Sequence, residues 1–287
     1  MKFTETNTEK KQIFSLEIFP PKKNAGGIDT IYDTLDGLKD LKPDFISVTY
    51  GAGGNLADNS TCDICSIIKN KYNITPIAHL TCVNNSKSDI DIILENLKNA
   101  DVKNILALRG DINPDIPPKH DFEHADQLIS YIKQKSDFKI SAACYPETHP
   151  DSENVLSDIH HLKNKVDCGV ERLISQLFFN NEDFYDFIEK ARLAGITVPI
   201  EAGIMPVTNK NQIIRMATMC GASIPRKMSR ILNRFENNPK ALEDAGIAYA
   251  IDQIIDLIAN GVDGIHLYTM NKPYIAQRIY DAISSMR

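Results

Sequence analysis

Eight short apolar runs recur along the whole chain, and nearly every run ends in a polar or ionisable residue that a buried strand does not need. The runs are Ile13–Phe19 with Glu17, Phe45–Tyr50 with Thr49, Pro76–Val83 with His79, Asn104–Asp111 with Arg109 and Asp111, Lys139–Glu147 with Tyr145, Arg172–Phe179 with Gln176, Val198–Val207 with Glu201, and Gly264–Met270 with Tyr268. Strands that alternate with helical segments predict an α/β fold, a (β/α)8 TIM barrel. In that fold the active site is built at the carboxyl ends of the strands, where these polar residues would meet.

The segments between the runs carry apolar residues at three- and four-residue steps, as helices packed outside a parallel sheet do. The predicted helices are Thr30–Leu41, Asp58–Lys69, Lys87–Ala100, Glu123–Lys135, Ser152–Val166, Glu182–Ala194, Asn209–Cys220 and Lys272–Met286. Residues 221–261 predict an extra helical insertion before the last strand, with a short helix around Pro225–Phe235 and a longer one from Pro239. We expect a single catalytic barrel domain over residues 1–287, of which residues 1–12 form a flexible end.

The composition excludes several classes of protein. A net charge of −6 without a local Lys/Arg cluster offers no basic surface to nucleic acid. No run has the roughly 20 apolar residues of a membrane span, and the amino terminus lacks the apolar stretch of a signal peptide. We therefore expect a cytoplasmic protein with no nucleic-acid or membrane partner and with reduced cysteines. Cys62 and Cys65 have C-x-x-C spacing but no second pair, which favours a packed helix face and no metal site.

Glu17 lies in Ser-Leu-Glu-Ile-Phe-Pro-Pro, among apolar neighbours. Apolar surroundings favour the uncharged carboxyl, which suits a general acid that protonates a substrate nitrogen near neutral pH. A structural carboxylate bonded to a partner inside the barrel is the alternative.

A glycine-rich segment, Gly-Ala-Gly-Gly at residues 51–54, follows the second run and superficially matches a dinucleotide-binding loop. Leu56 stands where the third glycine of G-x-G-x-x-G would be, so the fingerprint is absent and a Rossmann chain is disfavoured. The glycines fit either a close backbone approach to a planar or phosphorylated ligand or a plain turn.

Three further strand ends carry candidate binding groups. Arg109 and Asp111 flank a glycine, where the arginine would hold phosphate and the aspartate would tune a cofactor ring; a simple ion pair is equally open. Tyr145 and His149 lie in a loop restricted by two prolines and are placed for stacking and hydrogen bonding. Gln176 emerges from an apolar strand, and its amide needs a ligand, a water or a main-chain partner.

Eight motifs, in register at successive strand ends, together resemble methylenetetrahydrofolate reductase. They are Ser15-Leu-Glu17-Ile-Phe-Pro-Pro, Ser47-Val-Thr-Tyr-Gly-Ala-Gly-Gly54, His79-Leu-Thr-Cys82, Ala107-Leu-Arg-Gly-Asp111, Tyr145-Pro-Glu-Thr-His-Pro150, Gln176-Leu-Phe-Phe179, Gly203-Ile-Met-Pro-Val207 and His266-Leu-Tyr-Thr-Met-Asn271. The resemblance implies an oxidoreductase and flavoprotein that takes hydride from NADH or NADPH through FAD. It delivers the hydride to 5,10-methylenetetrahydrofolate, giving 5-methyltetrahydrofolate for one-carbon metabolism and methionine biosynthesis. We expect this folate and a nicotinamide nucleotide as partners, and a homo-oligomer.

The resemblance also implies roles for individual residues. Glu17 would be the general acid that helps to open the methylene bridge, and Asp111 would lie near the flavin ring and the folate. The cofactor site would comprise Thr49, Tyr50, Ala52, His79, Arg109, Gly110, Asp111, Ala125, Tyr145, His149, Asp158, His161 and Lys165. The substrate site would comprise Glu17, Thr49, Asp111, Gln176, Gln212 and Lys272.

Five positions depart from the family pattern. His161 and Asn164 stand where the family often has asparagine and arginine, near the adenosine end of the cofactor. Lys272 replaces an arginine on the folate side, and lysine cannot reproduce the two-pronged contact of a guanidinium. Met216 and His124 replace aromatic residues. These changes leave the preference between NADH and NADPH open.

Two other functions stay open from the sequence. One is a flavin-free reductase that passes hydride directly from nicotinamide to folate. The other is a non-catalytic subunit that binds folate or a partner protein, although such a subunit has little reason to keep Glu17 beside Asp111 and Gln176. Because the chain ends soon after the last predicted helix, we expect no regulatory domain of the eukaryotic type and no direct inhibition by S-adenosylmethionine.

Overall fold

The computed structural model describes residues 12–21, 29–50, 60–112 and 117–286. Within these residues eight parallel strands close into one barrel, and each strand pairs with its neighbours in chain order. The strands are β1 Ile13–Ile18, β2 Phe45–Val48, β3 Thr75–Thr81, β4 Asn104–Leu108, β5 Lys139–Cys144, β6 Val170–Ser175, β7 Ile200–Ile204 and β8 Gly264–Tyr268. The prediction of a (β/α)8 TIM barrel is confirmed. Residues 1–11, for which we expect a flexible end, and the glycine-rich segment 51–54 lie outside the described residues.

Helices follow the strands and surround the barrel. In the described part of the chain they are α1 Asp29–Leu38, α2 Ser60–Tyr72, α3 Lys87–Asn99, α4 Ala125–Lys135, α5 Val155–Asp167, α6 Asn181–Leu193, α7 Lys210–Cys220, α8 Arg226–Arg234, α9 Pro239–Ala259 and α10 Pro273–Ile283. Local capping defines several helix starts: Ser86 and Asp89 form a capping box at α3, and Asn238 accepts from Ala241 N before Pro239 at α9.

The apolar runs in the sequence are longer than the strands because they include residues that follow each strand. Arg109, Tyr145 and Gln176 all lie just beyond the last residue of their strand, whereas Glu17 and His79 lie within β1 and β3. A strand ends where its backbone leaves the hydrogen-bonded ladder, and composition does not mark that point. The residues beyond the ladder form the loops that line the barrel mouth.

The sheet separates two apolar clusters. The larger one packs outward-facing strand residues such as Leu16 against helix residues such as Ile64. The smaller one lies inside the barrel and contains Phe45, Ile77, Leu106 and Ile174. Two residues after Phe45 and Ile77, on the same face of their strands, come Ser47 and His79. The interior therefore changes from apolar to polar toward the carboxyl ends of the strands.

Within the predicted helical insertion, the two helices have different roles. α9 contacts α6, α10 and β7, which is the position of a ring helix between its neighbours. α8 contacts α9 and shares an apolar cluster with the segments that follow β6 and β7. That cluster consists of Leu177, Phe179, Met205, Val207, Ile213, Ala217, Met228, Leu232 and Leu242. α8 and α7 thus pack over the carboxyl end of the barrel, next to the candidate site.

Gly246 is the point at which α9 comes closest to the chain after β7. A Cβ atom there would lie 1.7 Å from the backbone oxygen of Val207. We expect Gly246→Ala to lower the free energy of unfolding by about 2 kcal/mol, because backbone atoms must shift to admit the methyl group. The effect is measured by urea denaturation. At an unhindered helix position the same change would instead stabilise the protein, by up to about 1 kcal/mol.

The matched control for this prediction is Ala248→Gly, on an exposed position of the same helix. This change tests helix propensity alone and should lower the free energy of unfolding by at most about 1 kcal/mol. A Gly246→Ala protein as stable as the unaltered one would contradict the close approach.

Candidate active site

Glu17 lies in the polar interior at the mouth of the barrel, and its side chain is almost fully buried. Its Oε2 atom is 3.4 Å from His79 Nε2 and 3.5 Å from His266 Nε2, on β3 and β8 respectively. Both distances are long for hydrogen bonds. The backbone is held separately, because Thr269 Oγ1 donates to the carbonyl oxygen of Glu17 at 2.7 Å. The carboxyl is therefore positioned between two imidazole rings.

His79 is a neutral group at physiological pH. Burial lowers its pKa to about 4. Its Nε2 atom is buried and has no hydrogen-bond partner of good geometry among the described residues. His79 therefore offers Glu17 a polar neighbour without a compensating positive charge.

Tyr268 is the last residue of β8, and its side chain reaches the end of β6. Its hydroxyl donates to the carbonyl oxygen of Ser175 at 2.7 Å. Burial raises the pKa of Tyr268 well above the usual range, so the phenol stays protonated. A Cβ atom on Gly203 would lie 2.7 Å from this hydroxyl and 2.2 Å from Ser175 O, so only glycine leaves room for the contact.

Tyr145 directly follows β5, Gln176 directly follows β6, and their side chains meet at the mouth of the barrel. Gln176 Oε1 accepts from Leu177 N at 2.9 Å, and its side chain also hydrogen-bonds the phenol of Tyr145. Burial raises the pKa of Tyr145 to about 12, Asp111 adds to this rise and Arg109 opposes it. The structure thus provides Gln176 with a main-chain partner, Leu177, and a side-chain partner, Tyr145.

The loop after β4 is closely packed on the end of β3. Gly110 has a φ of +87°, and a Cβ there would be 2.9 Å from Thr81 Cβ. Arg109 Nη1 forms an ion pair of 2.8 Å with Asp151, in the loop after β5, rather than with the exposed Asp111. The guanidinium is only partly buried, and Asp151 is exposed. Arg109 is therefore a cation that a ligand can reach.

The loop after β5 is organised by Asp158 of α5. Asp158 accepts from His149 N at 3.1 Å and from Ser152 Oγ at 2.9 Å. The rings of Tyr145 and His149 lie edge to face, with their centroids 4.5 Å apart. Both carboxylate oxygens of Asp158 therefore accept hydrogen bonds from the loop, and these bonds hold the loop that carries Tyr145 and His149.

Two predicted cofactor residues lie on one helix with different exposure. Lys165 is half-buried, and its Nζ donates to Ala143 O at 2.7 Å. Burial lowers the pKa of this ammonium, while Cys144 and Asp158 oppose the shift. His161, one turn earlier on α5, is exposed, as is Asn164. The two departures from the family pattern thus lie on the outer surface of this helix.

The predicted substrate residues Gln212 and Lys272 lie on the opposite side of the mouth. Gln212, in the first turn of α7, lines a small cleft with Met216 and Met270. Lys272 Nζ donates to Thr208 Oγ1 at 3.1 Å, between the loops after β8 and β7. This side of the mouth is less polar than the side that carries Arg109.

The remaining predicted residues frame the mouth. Thr49 and Tyr50 directly follow β2, where Thr49 N donates to Ile18 O at 3.1 Å. Ala125 is the first residue of α4. Ala52 lies outside the described residues.

Sequence reasoning gave no role to Ser15 and His266 and expected Glu201 at a strand end, but Glu201 is the second residue of β7, and all three are fully buried beneath Glu17. Ser15 Oγ donates to Glu201 Oε2 at 2.6 Å and lies 2.7 Å from His266 Nδ1. The available signal was periodicity, because Ser15 and Glu17 are two residues apart on β1 and therefore share the inner face. Whether residues on three different strands touch is not visible in the sequence.

The described part of the chain has neither a candidate membrane span nor a candidate metal cluster. None of its helices combines the length and the low charge needed to cross a bilayer. Among the same residues, no group of three or more histidine, cysteine or acidic side chains is placed to hold a metal ion.

The fold and the mouth together define a class: parallel barrels whose carboxyl end holds a buried acid between polar and cationic loops. The family model of methylenetetrahydrofolate reductase matches residues 2–284 of the chain. A 5,10-methylenetetrahydrofolate reductase from Pectobacterium carotovorum subsp. carotovorum is 36% identical, over 92% of this chain and 88% of that protein. The protein of the same name from Escherichia coli is 34% identical with the same coverage. The chain belongs to the methylenetetrahydrofolate reductase family, which consists of oxidoreductases of folate metabolism.

Other relatives are longer or more distant. Methylenetetrahydrofolate reductase (NADH) 1 from Arabidopsis thaliana is 35% identical over 92% of this chain but only 47% of its own length. A solved structure of a Clostridium thermocellum protein, described as binding two copies of 5-methyl-5,6,7,8-tetrahydrofolic acid, superposes with a TM-score of 0.65. It shares 14% identity and covers 96% of this chain and 94% of that one, so it supports the fold alone.

The burial of His79 predicts a pH dependence of stability. Its pKa falls from 6.5 to about 4 on folding, so the unfolded chain binds more protons between these values. Stability from this group is complete above pH 6.5 and is lost as the pH falls toward 4, by about 2 kcal/mol between pH 7 and pH 5. We expect His79→Asn to remove that part of the pH dependence, as measured by denaturant unfolding at both pH values.

His120→Asn is the control, because this histidine is exposed. Its replacement should leave the difference in stability between pH 7 and pH 5 as it is in the unaltered protein. If His79→Asn retained the full difference, the histidine would not be buried in its neutral form.

Proposed function

We propose that the protein is a flavin-dependent reductase that transfers hydride from a nicotinamide nucleotide, through FAD, to 5,10-methylenetetrahydrofolate, giving 5-methyltetrahydrofolate. The observation that carries the proposal is that a buried carboxyl and a reachable cation lie at the same mouth. Glu17 is buried on β1 between His79 and His266, and Arg109, just after β4, pairs only with the exposed Asp151 among the described residues. A proton donor and a cationic binding loop thus share one opening, as a hydride acceptor and its cofactor require.

The residues after β4 and β5 fit FAD. Arg109 and Lys165 supply positive charge for a diphosphate, and Gly110 allows a close backbone approach. Tyr145 and His149 offer aromatic surfaces held by the Asp158 contacts. When bound, FAD would supply a carrier that accepts a hydride from the nicotinamide and releases it to the folate.

The remaining cofactor assignments follow from the family resemblance and from position. We infer that the residues framing the mouth contribute contacts, and that the exposed His161 contributes at the adenosine end. The inferred set is Thr49, Tyr50, Ala52, His79, Asp111, Ala125, Asp158 and His161. For Arg109, binding would mean the exchange of Asp151 for a phosphate oxygen, which costs little because Asp151 is exposed.

On the substrate side, Glu17 would hold the proton that opens the methylene bridge. Its carboxyl is buried at the mouth, with Oε2 3.4 Å from His79 Nε2 and 3.5 Å from His266 Nε2. Donation to the substrate nitrogen would leave the iminium carbon open to hydride. Gln176 and Gln212 would orient the folate from opposite sides of the mouth, together with Thr49 and Asp111.

Lys272 would contribute a positive charge to the folate side. Its Nζ bonds Thr208 and is exposed, so it would meet a carboxylate as a point charge. For the electron donor we infer NADH, which the names of the plant relatives specify.

The test of the proposed function is the visible absorption spectrum of the purified protein, followed without oxygen. We expect flavin bands that bleach when NADH is added and return when methylenetetrahydrofolate follows. A colourless protein that still reduces folate would point to direct hydride transfer. A colourless protein that is inactive after FAD is supplied would point to a binding subunit, and either result would overturn the proposal.

The role of Glu17 is tested by separating the two half-reactions. We expect Glu17→Gln to slow oxidation of the reduced flavin by methylenetetrahydrofolate by at least about 100-fold, because the amide cannot act as the acid. Reduction of the flavin by NADH should change by less than about threefold, since that step needs no proton from Glu17. Both rates are measured by stopped-flow absorbance.

Glu147→Gln is the matched control for Glu17→Gln. Glu147 is partly buried at the same mouth, and its Oε2 accepts from Ser223 N at 2.9 Å, a bond that a glutamine oxygen can keep. Both half-reactions should remain near the rates of the unaltered protein. An equal loss in both half-reactions for Glu17→Gln would remove its assignment as the general acid.

A further inference from the structure

A chain of buried polar groups runs through the barrel interior beneath Glu17, and the proposed function leaves it unused. Glu201 on β7, Ser15 on β1 and His266 on β8 are each 0% exposed. Ser15 Oγ lies 2.6 Å from Glu201 Oε2 and 2.7 Å from His266 Nδ1. The far edge of the imidazole, Nε2, lies 3.5 Å from Glu17 Oε2. Three strands thus place a carboxyl, a hydroxyl and an imidazole in line with the proposed acid.

The charges along the chain determine the direction of its hydrogen bonds. Burial raises the pKa of the Glu201 carboxyl, and Arg172, whose Nε lies 3.1 Å from Glu201 Oε1, opposes this rise. Oε1 thus faces the guanidinium, and Oε2 accepts from Ser15 Oγ at 2.6 Å. The single hydroxyl proton of Ser15 therefore points to Glu201, since its other acceptor, the carbonyl oxygen of Ile265, is 3.4 Å away.

The direction of the Ser15 hydroxyl selects the tautomer of His266. With its own proton given to Glu201, Ser15 Oγ can only accept from His266 Nδ1, so Nδ1 carries a proton. In a ring with a single proton the lone pair is then on Nε2, which faces Glu17 Oε2 and, also at 3.5 Å, Ser47 Oγ. A lone pair in this position attracts a protonated carboxyl and repels a carboxylate.

The other groups around Glu17 do not reverse this preference. From β3, His79 is neutral because burial lowers its pKa to about 4. From the end of β8, the phenol of Tyr268 stays protonated. Behind His266, the charge of Glu201 is paired with Arg172, whose guanidinium also lies over the ring of Phe45 at 4.9 Å. Among these described neighbours, none places a positive charge against the Glu17 carboxyl.

We propose that Glu201 and Ser15 hold His266 in its Nδ1–H tautomer, and that His266 is thereby a positioning residue that keeps the Glu17 carboxyl protonated and oriented toward the substrate. The inference rests on the proposed function, because it concerns the proton that Glu17 delivers to methylenetetrahydrofolate. It extends the acid site from Glu17 at the mouth to the chain of buried polar groups, Glu201, Ser15 and His266, inside the barrel.

Glu201→Gln is the most direct test, because it keeps the shape of the side chain and reverses the hydrogen bonds. The guanidinium of Arg172 attracts the amide oxygen, so the amide NH2 faces Ser15 and donates to it. Ser15 then donates to His266 Nδ1, and the ring proton moves to Nε2, where it stabilises the Glu17 carboxylate. The folate half-reaction should lose rate at a lower pH than in the unaltered holoenzyme.

The pH above which the folate half-reaction loses rate should fall by about one unit. At higher pH values the rate should therefore be about tenfold lower than in the unaltered holoenzyme. Reduction of the flavin by NADH should keep its pH profile. The exposed Glu171, which precedes Arg172 on β6 and pairs with Lys133, provides the control variant Glu171→Gln. That control should move neither profile.

The tautomer is read independently by NMR of the holoenzyme labelled with 15N-histidine, with His266→Gln identifying the signals. We expect Nδ1–H in the unaltered protein and Nε2–H in Glu201→Gln. An Nε2–H ring in the unaltered protein would overturn the proposal, as would a tautomer change that leaves the pH profile in place. If Glu201→Gln does not fold, Ser15→Ala should give both tautomers and a smaller shift in the same direction.

The failure of the proposed function would look different. A protein that reduces no folate at any pH would remove that function and the positioning role with it, whatever the tautomer of His266. If the protein reduces folate and its pH profiles are unchanged in Glu201→Gln and Ser15→Ala, the proposed function stands. Only the positioning role of His266 is then overturned.

Discussion

Pairing of β1 with β8 closes the sheet, and the chemistry of the interior depends on this closure. It brings Ser15 opposite His266 and Glu17 opposite Tyr268, residues about 250 positions apart in the chain. Ser15, Glu201 and His266 are fully buried inside this closed sheet, and buried polar groups are usually hydrogen-bonded. The contacts of Ser15 with Glu201 and His266 are the result.

Burial has a second effect at the mouth, which is to keep three ionisable groups uncharged. It lowers the pKa of His79 and raises those of Tyr145 and Tyr268, so two phenols and an imidazole are neutral near pH 7. Charge is concentrated instead at the rim, where Arg109 and Asp111 meet solvent. Such a division suits proton donation in the interior and binding of anionic groups at the edge.

The helical segment between β7 and β8 connects the barrel to its mouth. α9 completes the outer ring of helices, and Gly246 allows it to lie against the chain after β7. The apolar cluster that includes Met228 of α8 and Ile213 of α7 then builds the less polar side of the opening, next to Gln212. A close backbone contact in the ring thus determines where one wall of the site stands.

The sequence by itself determined the barrel, the order of its elements and the polar strand ends, because side-chain periodicity and helix capping are local properties. Its motifs also predicted Glu17, Asp111 and Gln176 as site residues by family resemblance. Only the tertiary structure decided that Arg109 pairs with Asp151, that Gln176 meets Tyr145, and that Glu201 reaches His266 through Ser15. Those contacts join residues far apart in the chain, and strand register and barrel closure, which no local pattern encodes, bring them together.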